Sequence, residues 1–207
     1  MADSPSSTEE PTPARQAGAR LKRDDWLDAA FQAAVEHGFD GVRVLVLADT
    51  LGVTRGSFYW HFKDHADLIA ALLERWRDAE RASNQGVQQA ASLDPVQDLE
   101  SLLDAALNHG GADLSNMRFE LALRSLGRRD AGVAAMLLEV DQARMALFVG
   151  KFARIAPDAK TATELASLFY LAIVGSFQAL SRPQAAHPTK QYLLEIIGRY
   201  LIKQQAK

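Results

Sequence analysis

Several side chains in the first third of this 207-residue chain have spacings that chemistry uses. His61 and His65 stand four residues apart, which on a helix puts both imidazoles on one face, as in a metal pair. No glutamate sits between them in a His-Glu-x-x-His arrangement and no third ligand is evident, so no metal is expected. Ser57 and His61 share that spacing, but no nucleophile-elbow glycines surround the serine, so no catalytic pair is read there. Asp49 and Asp64 read as solvent-facing or capping residues rather than paired acids. The chain has no cysteine, which excludes disulfides, thiolate metal sites and cysteine nucleophiles. No Gly-rich phosphate loop is present either, and no cofactor is expected. An enzyme of helical-bundle class would lack its catalytic constellation; it stands as the alternative, beside a DNA-binding protein without an effector.

The same stretch carries a different chemistry, that of hydrogen-bond donors aimed at DNA. The run Leu47–Phe62 has the parts of a helix-turn-helix. Ala48 is small enough for a second helix to cross closely, Gly52 tolerates the turn, and Val53 plugs the space behind it. The segment after Thr54 then offers donors to a major groove. Net charge of −3 and a pI near 6.0 do not announce a nucleic-acid binder, so the basic surface must be local.

These residues need helices to position them. A run from Asp24 to Gly38 has Trp26, Ala30, Ala33 and Ala34 at helical spacing, with acids in its first turn. Val42, Val44 and Val46 alternate like a strand, but no second strand-like run exists to pair with them. Val44, Leu47, Ala48 and Leu51 fit a second helix instead. Thr54 is expected to cap a short third helix. Asp64 caps a fourth, with the stripe Leu68, Ile69, Leu72, Leu73 and Trp76, ending near Asn84. Asp94-Pro95 opens a fifth, broken at Gly110-Gly111. A sixth covers about 113–126. Asp130 caps a seventh reaching Ile155, an eighth runs 159–180 and stops near Pro183, and a ninth follows Pro188. The expectation is an all-α fold of nine short-linked helices.

With these elements in place, residues 20–75 resemble the TetR/AcrR family of transcriptional regulators. The resemblance lies in Gly38-Phe39, Leu47-Ala48, Leu51-Gly52-Val53, the run Ser57 to Asp64, and Leu68-Ile69. It implies a nine-helix architecture with a three-helix DNA-binding domain and a larger ligand-binding and dimerisation domain. The boundaries expected are 1–18 for a disordered tail, 19–66 for the DNA-binding domain and 67–207 for the second. The resemblance puts Arg55, Gly56, Ser57 and Tyr59 toward the groove and Thr54, Tyr59, His61 and Lys63 near phosphates, with Arg43 flanking. Arg55 is the candidate base contact, since arginine reads guanine bidentately. Trp60 lies within the same surface, although packing is its simpler role. Two positions depart from the family pattern. Arg43 stands where a Ser or Thr cap is usual, and His65 where a lysine is usual. Leu45 and Val46 are unusually apolar for an exposed helix surface.

In the larger domain, a wheel over the seventh expected helix puts Leu137, Val140, Phe148, Phe152 and Ile155 on one face with Asp141, Arg144 and Lys151. Charges on an apolar face must be paired or meet something polar. Asp141 and Arg144, three apart, form either a buried structural pair or the polar anchors of an apolar ligand pocket. Met117, Phe119, Met136, Phe148, Phe169 and Phe177 are the candidate lining. The effector is expected to be small and mostly apolar, with one polar or anionic group. The eighth and ninth helices are apolar almost all round, which points to a subunit interface; in the family they pair as a four-helix bundle. The expected partners are thus a double-stranded palindromic operator, an unknown effector and a second copy of the chain. No membrane span and a cytoplasmic location are expected.

Overall fold

The computed structural model describes residues 21–108, 114–180 and 188–203. The expected tail, the Gly110-Gly111 break, the start near residue 113 and the stop at Pro183 lie outside them. Among the described residues every regular element is helical. In chain order these are α1 (Arg23–His37), α2 (Val44–Leu51), a 3-10 turn at Arg55–Trp60, α3 (His65–Gln89), α4 (Pro95–Asn108), α5 (Ser115–Gly127), α6 (Ala131–Phe152), α7 (Ala159–Leu180) and α8 (Pro188–Ile197). A shorter 3-10 turn spans Phe39–Gly41, and α8 continues as a π-helical turn, Gly198–Lys203. The recognition segment is the third expected helix, so the eighth and ninth are α7 and α8.

Local chemistry sets most of the boundaries. Asp64 accepts from the Asp67 amide at 2.9 Å, and Asp67 returns the favour to the Lys63 amide at 3.0 Å, so α3 starts on a reciprocal cap. Asp130 accepts from the Val133 amide at 3.0 Å and starts α6. Gly52 ends α2 with φ +68 and ψ +34, the left-handed conformation that side chains resist, and the Val53 amide closes the turn on the Ala48 carbonyl. Two ends differ from expectation. α3 runs on to Gln89 rather than Asn84, because no proline interrupts it and Val87 packs onto apolar neighbours beyond. α6 stops at Phe152, and the chain to Ile155 tightens into turns in which the amides of Arg154 and Ile155 reach only three residues back.

Two apolar cores form along the molecule. The first joins Trp26, Leu27, Phe39, Phe58, Phe62, Leu68, Leu72 and Trp76 to Phe119 and Leu123 of α5 and Val133 and Leu137 of α6. The second gathers Leu99, Leu103 and Leu107 of α4, Leu147, Phe148 and Phe152 of α6, and Leu165, Phe169, Ile173 and Phe177 of α7, with Ile197 and Ile202. Each fully buried large apolar side chain contributes about 1.5–3 kcal/mol. α3 and α6 run through both cores, and they connect the N-terminal helices to the rest. α7 is not covered on all sides within the chain: Leu168 and Leu171, the latter 64% exposed, face away from the core.

Candidate nucleic-acid interface and the cavity behind it

The recognition turn is held from behind by aromatic packing. Phe58 is fully buried, meets Trp26 edge-on at 5.3 Å between ring centroids, and stacks on Phe62 at 5.4 Å. The Arg23 guanidinium lies 4.7 Å over the Phe62 ring. This anchoring leaves the other side of the turn outward. Thr54, Arg55, Gly56, Tyr59, Trp60 and Lys63 are exposed, and Ser57 and His61 are half-buried beside them. Arg55 donates from Nη2 to the Tyr59 hydroxyl at 3.2 Å, which aligns two donors on one face. A Cβ at Gly56 would meet only Thr54 Oγ1, at 3.7 Å, so the protein itself leaves that position open.

Thr54 and Trp60 sit differently from expectation, and His65 and Arg43 find partners that spacing did not show. Thr54 occupies the N-cap position, but its side chain makes no capping bond; instead the Ser57 hydroxyl donates to the Thr54 carbonyl at 2.6 Å. The segment is a tight 3-10 turn, which brings that carbonyl within reach of a residue three on. Trp60 does not pack within the chain, being 80% exposed. His65 is exposed but tethered: its Nε2 lies 2.6 Å from the Val42 carbonyl and ties α3 to the start of α2. Arg43 caps nothing with its side chain, as its identity implies, and its Nε donates to the Asp40 carbonyl at 3.0 Å. Leu45, 58% exposed, and Val46 lie on the outer surface of α2. Among the described residues no group of three His, Asp or Glu is placed to hold a metal.

Behind this head, α3 to α7 surround a cavity of about 720 Å³, its solvent-open mouth included. Its walls are mostly apolar, with Leu102, Met117, Leu147, Phe148, Ile173 and Phe177, and its polar groups include Glu80, Glu120, Arg144 and Tyr170. Of the expected lining, Met117, Arg144, Phe148 and Phe177 border it. The others do not. Phe119 stacks on Phe31 at 4.7 Å in the first core, where Met136 also packs, because their helices turn these positions toward α1 and α3. Phe169 is enclosed by Phe148 and Phe152, and Asp141 stands behind the wall.

The charges on α6 are paired, but with other partners than spacing suggested. Arg144 grips both carboxylate oxygens of Glu120 at 2.9 Å and Glu80 at 2.6 Å. Asp141 lies 3.8 Å from Arg144, and its tight partner is Arg124, at 2.8 and 3.0 Å. Arg124 also reaches Glu120 at 2.7 Å. The structure therefore has a five-residue network from α3, α5 and α6 where a two-residue pair was expected. Burial alone would lower the Arg144 pKa, but Glu120 and Glu80 outweigh it and hold the guanidinium above its ordinary value. Arg124 is raised in the same way, against burial, by Asp141 and Glu120. The Tyr170 hydroxyl is pushed up to about 12, by burial first and then by Asp141. Lys151 is not part of this network. Its ammonium meets buried Asp98 at 2.7 Å, whose other oxygen takes Arg154 at 2.7 Å, and that cluster holds the α3–α4 connection on α6. Sequence reasoning missed Glu80, Glu120, Arg124 and Tyr170; the four-residue spacing of Glu120 and Arg124 on α5 was the available signal.

A buried aromatic anchor behind an exposed donor surface, on a left-handed glycine turn after a short helix, defines a helix-turn-helix protein with an all-helical body. Residues 27–72, the helix-turn-helix part of the chain, match the family described as "Bacterial regulatory proteins, tetR family". It is 30% identical over 90 residues to the probable transcriptional regulator ArpR of Pseudomonas putida, covering 44% of this chain and 43% of ArpR. It is 29% identical over 175 residues to the transcriptional repressor BepR of Brucella suis, covering 78% and 81%. The match spans less than half the length of ArpR and of TtgR, both of Pseudomonas putida. A transcriptional regulator from Rhodococcus sp. Rha1 has the same fold, with a TM-score of 0.68 at 19% identity over 89% of this chain and 97% of that one.

Proposed function

We propose that this protein is a transcriptional repressor that binds a pseudo-palindromic operator as a homodimer and releases it when a small molecule enters the cavity. The observation that carries the reading is the recognition turn, with Phe58 and Phe62 locked inside and Thr54, Arg55, Gly56, Tyr59 and Lys63 outside. In this reading Arg55 contacts a base edge, while Thr54, Tyr59, His61, Lys63 and Arg43 approach phosphates and Ser57 and Trp60 border the groove. Residues 19–66 serve as the DNA-binding part and 67–207 as the sensing and dimerising part. α7 and α8 form the subunit interface, a role supported by the exposed Leu168, Leu171 and Tyr192. No described helix is long and apolar enough to cross a membrane, and DNA as partner places the work in the cytoplasm. The cavity supports an effector-responsive protein over an effector-free one, and nothing in its lining favours catalysis. Two recognition elements related by a two-fold axis would meet major grooves roughly 34 Å apart. Binding of the full-length protein to the DNA upstream of its own coding sequence, against random duplex, tests the proposal. Selective binding as a dimer is expected; equal affinity for both duplexes, or a monomer at micromolar concentration, overturns it.

A further inference from the structure

The polar end of the cavity is short of positive charge. Glu80, Glu120 and Asp141 bring three carboxylates, while Arg124 and Arg144 bring two guanidiniums, and all five are linked by contacts of 2.6–3.8 Å. The three members that line the cavity are Glu80, Glu120 and Arg144. Lys151 near the end of α6 and Arg154 in the turn after it, the next cations along the chain, are occupied by Asp98 and do not line it. The network thus leaves about one negative charge at a largely dry wall, where it is poorly screened.

The guanidiniums are also committed to carboxylates. Both terminal nitrogens of Arg144 donate to Glu120, and one of them donates to Glu80 as well. An anionic ligand would have to displace a carboxylate and leave it buried without a partner, which is strongly unfavourable. A cation supplies what the site lacks. The rings of Phe148, Phe177 and Tyr170, all on the cavity wall, suit a flat apolar cation further. Of the two carboxylates that line the cavity, Glu80 is the less enclosed. From α3 its Oε2 accepts from Arg144, whereas both oxygens of Glu120 are engaged by arginines.

We propose that the cavity takes a monocationic, largely apolar molecule, with Glu80 receiving its charge and the rings of Phe148, Tyr170 and Phe177 receiving its body. This replaces the polar or anionic group expected from the sequence, where Asp141 and Arg144 were candidate anchors, with a cationic one. It rests on the effector reading above for its biological meaning, but it is a statement about the cavity alone.

The test uses three fluorescent probes on the intact protein: rhodamine 6G, a monocation; Nile red, which is neutral; and anilinonaphthalene sulfonate, an anion. Rhodamine 6G is expected to bind at least about tenfold more tightly than the sulfonate, the margin a buried charge contact gives. Glu80→Gln is expected to lower rhodamine 6G affinity about tenfold while leaving Nile red affinity near its original value. Tighter or equal binding of the sulfonate overturns the proposal, as does rhodamine 6G affinity that ignores Glu80→Gln or an absence of binding. Should the variant fail to fold, the ranking of the three probes on the unaltered protein decides. Operator release is measured separately. If rhodamine 6G binds but DNA is held, the effector reading fails and the assignment of charge stands. If only the neutral or anionic probe releases DNA, the effector reading stands and this assignment falls.

Discussion

Arg129 and Asp40 meet across 89 residues of sequence, one guanidinium nitrogen lying 3.0 and 2.9 Å from the two carboxylate oxygens. The contact ties the α5–α6 corner to the corner between α1 and α2. Both side chains are exposed, so water screens the pair and its worth is small despite good geometry. Arg129→Ala should therefore shift the urea midpoint by less than about 1 kcal/mol in stability. A larger loss would mean that the corner is a mechanical joint rather than a surface contact.

The buried network should behave in the opposite way. Arg144→Leu removes the partner shared by Glu80 and Glu120 and leaves carboxylates behind in a dry wall. A loss of about 3–5 kcal/mol is expected, read from chemical unfolding. Replacing Glu80, Glu120 and Arg144 together by apolar residues should recover much of it, because the charges that needed each other would go at once.

On the DNA side, Arg55→Ala and Lys63→Ala should fail differently. Loss of a bidentate base contact costs about 1–3 kcal/mol and relaxes specificity at one position. Loss of a phosphate contact weakens every duplex alike and lowers the salt slope by about 1. Equal weakening of all duplexes by Arg55→Ala would remove its base-reading role. The two are separated by titrating operator, single-base variants and random duplex at several salt concentrations.

Gly56→Ala is a sharper probe of the same surface. The protein leaves room for the added methyl, so the fold should be unaffected or gain up to about 1 kcal/mol from better helix propensity. Operator affinity should nonetheless fall, since that open space faces outward. Unchanged affinity in a stably folded variant would show that DNA backbone does not come close at this position.

Acid should loosen the start of α7. Asp158 accepts from the Thr161 amide at 2.7 Å, and this bond holds its carboxyl below the ordinary carboxylate value. A depressed folded pKa contributes stability that is full above the unfolded value, about 3.9, and disappears as pH falls through the folded one. Asp158→Asn should flatten the acid limb of a stability profile between neutral pH and the low-pH side of that value. An unchanged limb would assign the acid sensitivity to other groups.

The parts of this architecture legible in the sequence are those decided within a few residues. Asp64, Asp130 and Pro95 start helices because caps act over three residues, and Gly38 and Gly52 end them for the same reason. Residues 47–62 could be read as a recognition unit because its plug, turn and donors are local. The charge network could not. Arg144 finds Glu80 64 residues away and Glu120 24 away, so the identity of its partners depends on how α3 and α5 pack on α6. The wheel placed Asp141, Arg144 and Lys151 on one face, which is true of the helix but silent about neighbours. The same limit put Phe119 and Met136 in the cavity rather than in the first core.

That first core has a consequence for engineering. Phe119, Leu123, Val133 and Leu137 complete the wall around Trp26, Phe39 and Leu72, so the body forms a socket for the head. A fragment ending near residue 66 would carry the reading surface but bare apolar flesh where α5 and α6 belong, and should be soluble only poorly. A chimera joining this head to another relative's body would inherit the same difficulty. Its success would turn less on the linker than on whether the foreign α5 and α6 present rings and branched chains of matching shape to α1.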